Sequence, residues 1–146
     1  MTRIALALAL GLLAGCTADQ PNKTAGPATG RWLTASGNLE IEIAPCGEAL
    51  CGTVVKVLAN NSMAEPGKTM AADTPSPLGM KIMTDFKPDG DGQWSGSIFN
   101  RENGKTYDCT MSILAQDQLK IRPYVLLPLF GKTQVWTRVV AGPSHS

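Results

Sequence analysis

A chain of 146 residues with 13 Lys and Arg against 12 Asp and Glu is sized for one domain and is close to neutral, and that length buries a core without depending on disulfides. It has no basic stripe, no Lys/Arg cluster and no zinc-knuckle spacing, which argues against a nucleic-acid partner. Its single histidine, His145, sits in the terminal GPSHS and excludes a Ser-His-Asp triad or a His-containing metal site within the fold.

The chain opens on MTRIALALALGLLAGC, with Arg3 followed by an apolar run over residues 4–13 that has no polar face. The run is too short to span a bilayer and has the length of a signal-peptide core. Its ending, Leu13-Ala14-Gly15-Cys16, resembles the bacterial lipobox. That resemblance implies a signal peptide over 1–15, cleavage before Cys16 and lipidation of its sulfur and new amino group. Thr17 stands where an Asp would resemble the inner-membrane retention signal, so the implied location is the periplasmic face of a Gram-negative outer membrane. Each buried CH₂ contributes roughly 0.8 kcal/mol, and two or more acyl chains anchor stably where one does not. Residues 16–29 then comprise the lipidated Cys16 and a flexible tether, TADQPNKTAGPAT, without apolar period.

From residue 30 to 140 the sequence alternates with period two, the pattern of half-buried strands. Leu39, Ile41 and Ile43 oppose Asn38, Glu40 and Glu42, and Thr53, Val55 and Val57 oppose Val54 and Lys56. Met80, Ile82 and Phe86 share a face opposite Lys81 and Asp85; Trp94, Gly96 and Ile98 alternate with Gln93, Ser95 and Ser97. Tyr107, Cys109, Met111 and Ile113 oppose Asp108, Thr110 and Ser112. Leu119 and Ile121 oppose Lys120 and Arg122, and Val135 and Val139 complete the last strand. Turn formers separate these runs: SGN, CGEALC, KPDGDG, ENGK and AQDQ. Asn103-Gly104 is the strongest, because a type I′ turn needs positive φ at both central residues. The expectation is an all-β chain of eight strands closed into an antiparallel up-and-down barrel with no free edge, followed by a disordered tail at 141–146.

Gly30 and Trp32 on the first strand, with Arg138 on the last, resemble the pattern of lipocalins and their calycin relatives. That resemblance implies barrel closure, the indole shutting one end and the guanidinium stacking across it. The chain is more similar still to the bacterial "domain of unknown function 2147" family of exported proteins. The similarity is carried by GRW at 30–32, CGEALCG at 46–52, GKTY at 104–107 and LKIRPY…LPLFGKTQVWTRV over 119–139. It implies export and a calycin-like barrel and brings no activity with it. Two stretches depart from that family's pattern. Its Asp…Asn-Pro loop is reduced to ADTPSP at 72–77, and Asn100-Arg101 replaces an Asp-Pro before the GKTY hairpin.

With Cys16 lipidated, Cys46, Cys51 and Cys109 remain. Export places them in an oxidising compartment, and Cys46 and Cys51 flank a turn between two strands, so a disulfide between them is expected over two reduced thiols. Cys109 lies on the apolar face of its strand and reads as a buried, inert thiol. Asp89 and Asp91 in PDGDG read as a solvated turn, since the loop is too short for an EF-hand and lacks its terminal Glu. No metal or cofactor is expected, no two acids share a predicted inner face, and the chain reads as no enzyme.

An eight-stranded barrel either fills with its own side chains or holds one small ligand. The candidate ligand contacts are Met80, Met111 and Tyr107, with Leu127 and Leu129 in YVLLPLF at 124–130, a stretch with no charged or amide side chain. Residues 59–77 form a long loop without regular structure, of a length more often functional than incidental. Two readings stay open. One is a lipocalin-like carrier or sensor of a small apolar or amphipathic molecule. The other is an anchored module with a protein partner in the envelope or a host lysozyme or protease to inhibit. In the barrel's interior a cavity of about 300 Å³ or more favours the carrier, and a filled barrel with exposed rim loops favours the inhibitor.

Overall fold

The computed structural model describes residues 11, 27–63, 65, 67–71, 74–90, 92–125 and 131–140. Cys16, Leu127, Leu129 and the tail at 141–146 therefore lie outside the described residues, as does most of the signal and tether.

Eight strands follow in chain order: β1 (Gly30–Leu33), β2 (Leu39–Cys46), β3 (Ala49–Val57), β4 (Lys81–Pro88), β5 (Gln93–Asn100), β6 (Lys105–Ala115), β7 (Gln118–Tyr124) and β8 (Gln134–Arg138). Each pairs antiparallel with its sequence neighbour, and β8 returns to β1 to close the barrel. The eight-stranded up-and-down architecture expected from the alternation is the one observed. This connectivity gives the barrel two distinct ends. The short turns after β2, β4 and β6 lie at one end with the start of β1 and the end of β8. The connections after β1, β3, β5 and β7 lie at the other.

Alternation places the core. Leu39, Ile41 and Ile43 of β2 are fully buried, as are Cys109 and Met111 of β6 and Leu119 and Ile121 of β7. Glu40, between them on β2, is shielded rather than inward, with Arg31 and Lys56 at 3.6 and 3.9 Å. On β3 the interior residues are Leu50, Gly52 and Val54, while Thr53 and Val55 are half-buried on the other face.

Three sequence expectations need correction. The face assigned to Met80, Ile82 and Phe86 omits Met83, which is fully buried beside them, whereas Met80 is only half-buried. The cause is a series of register shifts, two between β3 and β4 and one between Thr84 and Lys87. An inserted residue at a bulge breaks the period of two, and Asp85 absorbs one with φ of 56°. On β8 the buried side chain is Trp136, fully enclosed, while Val135 is 37% exposed. Val139 lies just beyond β8, where its N–H donates to the Arg31 carbonyl. The loop over 59–77 is also less irregular than expected, since Asn61 and Thr69 form an antiparallel bridge.

Cys46 and Cys51 form a disulfide with Cα atoms 5.8 Å apart, stapling the β2–β3 hairpin. Closing so short a loop constrains the unfolded chain modestly, by about 2 kcal/mol. Replacing both cysteines with Ser is therefore expected to lower the melting temperature by several degrees. Reductant should lower the native protein's melt to the same value and leave the double variant unmoved. Equal melts for native and double-Ser protein would show that the staple carries no stability. Cys109 is buried and free, and burial pushes its thiol pKa up to about 12, which makes it unreactive at neutral pH.

Candidate ligand-binding site

The closed end is built where the first and last strands meet. Trp32 and Arg138 are cross-strand partners between β1 and β8. The indole is fully buried, its Nε1–H donating to the Ala28 carbonyl at 2.9 Å. The Arg138 guanidinium lies 4.2 Å from the ring centroid, a cation–π stack. Its nitrogens donate to the carbonyls of Gln116, Thr29 and Pro27 at 3.1, 3.1 and 2.8 Å. One side chain thus gathers the β6–β7 turn and the incoming chain onto the barrel's end. Gly30 completes the arrangement: its φ is 121°, and a Cβ there would stand 2.9 Å from Arg138 Nη1.

Above this plug the barrel is filled. Trp32, Trp136, Phe86, Met83 and Met111 are all fully enclosed, together with the aliphatic core. Met111 pairs across to Trp94 and Ile121 in this packed region, so it is a core side chain and not a wall of open space. Met80, just before β4, is half-buried and packs against the core.

The opposite end opens into a cleft of about 560 Å³. Its apolar surface comes from buried Ile98 and half-buried Tyr107 and Met63, continued by Pro123, Tyr124 and the exposed Val125. Its polar surface comes from Glu65 and Lys68 of the β3–β4 loop, Asn100, Arg101, Glu102 and Asn103 at the β5–β6 turn, and Lys132 and Gln134. Tyr107 is thus the one described ligand candidate that reaches the cleft, with its hydroxyl accepting a bond from Asn103 Nδ2 at 2.7 Å.

The cleft depends on long-range ties that sequence pattern did not reveal. The Gln134 amide accepts from Trp136 Nε1 at 3.2 Å and donates to the Met63 carbonyl at 3.1 Å. It thereby fixes the β3–β4 loop to the core indole. Arg101 reaches the same loop at the Pro75 carbonyl and Asn60 Oδ1, each at 3.4 Å. Fully buried Asn38, assigned by alternation to the polar face, accepts at its carbonyl from the N–H groups of Leu58 and Ala59. Its side-chain Nδ2 donates to the Asn61 carbonyl. The signals available were the departure at Asn100-Arg101, which falls on the cleft wall, and the long 59–77 loop, which supplies Met63, Glu65 and Lys68 to it. Among the described residues, no group of three or more His, Cys, Asp or Glu is placed to hold a metal ion.

A closed eight-stranded barrel, stacked shut by Trp and Arg at one end and open at the other, is a lipocalin-like barrel. A family model described as "Uncharacterized protein conserved in bacteria (DUF2147)" matches residues 30–138, and the chain belongs to that family. Among solved structures it is similar to one described as "Protein HP1028 from the human pathogen Helicobacter pylori belongs to the lipocalin family". The TM-score is 0.54 at 17% identity, over 70% of this chain and 73% of that one; at such identity the likeness is one of fold. No curated protein matches the sequence.

Proposed function

We propose that this protein is an envelope lipoprotein whose barrel binds a small amphipathic molecule in its mouth cleft, without catalysing a reaction on it. The observation that carries this reading is where the space lies. The interior from the Trp32 plug upward is packed with side chains, and about 560 Å³ is left at the mouth, within the range of small-molecule sites. Ile98, Tyr107 and Met63 offer an apolar bed beside a charged rim, which suits a molecule with one apolar and one polar part. The filled interior is what the inhibitor reading expects and the volume at the mouth is what the carrier expects; the apolar bed beside a charged rim is what supports the carrier. The anchor rests on the lipobox resemblance of Leu13-Ala14-Gly15-Cys16, and the absence of catalysis on the confinement of the only histidine to the tail.

Native mass spectrometry of protein purified from its own envelope tests both halves. The expected result is a chain beginning at Cys16 with added acyl mass, plus a small co-purified mass that leaves on denaturation. A chain retaining residues 1–15, or lacking acyl mass, would remove the anchor. A bare native mass, together with no uptake of an environment-sensitive apolar dye, would remove the carrier.

A further inference from the structure

We propose that the mouth cleft selects amphipaths with an anionic head group, held by Arg101 and Lys132, with the apolar chain on Ile98, Tyr107 and Met63; this rests on the small-ligand reading above. Five charged side chains line the cleft, three basic and two acidic, and what decides the preference is which of them are already compensated. Lys68 and Glu65 pair with each other at 3.3 Å. Glu102 makes a further interaction and its backbone N–H bonds Asn100 Oδ1 at 2.9 Å, so beyond the Lys68–Glu65 pair the lining carries two cations to one acid. The two remaining cations are different. Among the described residues, Arg101 meets only neutral oxygens, both at 3.4 Å, beyond the usual N–H···O range. Lys132 is exposed and has no carboxylate within ion-pair distance among them.

A guanidinium held by long bonds to neutral acceptors keeps its fork available for a carboxylate or phosphate, which binds it in shorter, charge-assisted bonds. A neutral head would leave both cations as they are, and a cationic head would be repelled. The apolar bed adjoins these two groups in one cleft, so chain and head are recognised together. Carboxylate and phosphate monoester heads share this chemistry.

The test is calorimetric titration of the full chain, in detergent-free buffer, with dodecanoate, dodecyl phosphate, dodecanol and dodecylammonium below their aggregation limits. One or both anions should bind roughly tenfold tighter than dodecanol, and that advantage should shrink with added salt. Whichever anion binds tighter identifies the head group. Lys132→Gln and Arg101→Gln should each remove most of the advantage, read as the ratio of anion to dodecanol affinity within the same variant so that any change in the loop that Arg101 ties cancels. Arg101→Lys should recover part of the preference, since it restores the charge and not the fork. Equal affinities for anions and alcohol, or tighter dodecylammonium, would overturn the head-group assignment and leave the small-ligand reading standing. An anion preference untouched by either Gln variant would overturn the assignment to these residues. Should none of the four bind, both readings fall.

Discussion

Trp32→Ala is expected to destabilise the protein by about 3–5 kcal/mol, the usual cost of deleting a buried aromatic side chain. The ring is fully enclosed, donates its indole N–H to Ala28 and carries the Arg138 guanidinium on its face. Arg138→Ala should cost about 1–3 kcal/mol, because it strands three carbonyl acceptors as well as the stack. The two losses should not add. Once the indole is gone the guanidinium has nothing to stack on, so the double variant should lie about 1 kcal/mol or more above the sum of singles in stability. Arg138→Lys should recover little, since one ammonium cannot reach the carbonyls of residues 27, 29 and 116 in the planar geometry of the fork. Urea denaturation of the four proteins gives the cycle. Additive losses would mean that the stack contributes nothing and that the carbonyl bonds alone hold the end closed.

That pair was legible because Gly30 and Trp32 on the first strand and Arg138 on the last resemble the lipocalin pattern, and the resemblance, not the alternation, implied that they meet at one end of the barrel. The strands were legible wherever one face is apolar and the other polar, as in β2, β5, β6 and β7. Legibility failed where the chain departs from simple pleating. Along β4 the bulges bring Met83 to the core alongside Ile82 and Phe86, and an inserted residue leaves no mark in hydrophobicity. In β8, Val135 and Trp136 are both apolar, so alternation could not say which one faces inward. Depth along the barrel was invisible too. Met111 and Tyr107 share a strand face four residues apart, yet one is packed core and the other lines the cleft. The ties made by Asn38, Arg101 and Gln134 join residues far apart in sequence, and only the closed barrel brings them together.

Phe86→Ala is expected to cost about 3–5 kcal/mol as well, and it probes what confines the open space to the mouth. The Phe86 ring fills the barrel beside Gly96, two residues along β5 from Ile98 in the cleft. A Cβ at position 96 would stand 2.6 Å from the ring and 2.7 Å from the Thr84 carbonyl. The glycine is therefore the space into which the phenyl fits. Gly96→Ala should destabilise by about 1–3 kcal/mol through overpacking. In the Phe86→Ala background that cost should fall but not vanish, because the ring leaves while the Thr84 backbone stays. Thermal and urea unfolding of the two singles and the double measure this relief. The emptied volume is apolar, and such a cavity stays dry and accepts small apolar guests. A small neutral apolar probe such as benzene should therefore stabilise Phe86→Ala and not the native protein. If Phe86→Ala instead unfolds at the native urea concentration and gains nothing from the probe, the ring is not the packing that keeps the interior closed below Ile98, and the mouth cleft would owe its floor to some other side chain.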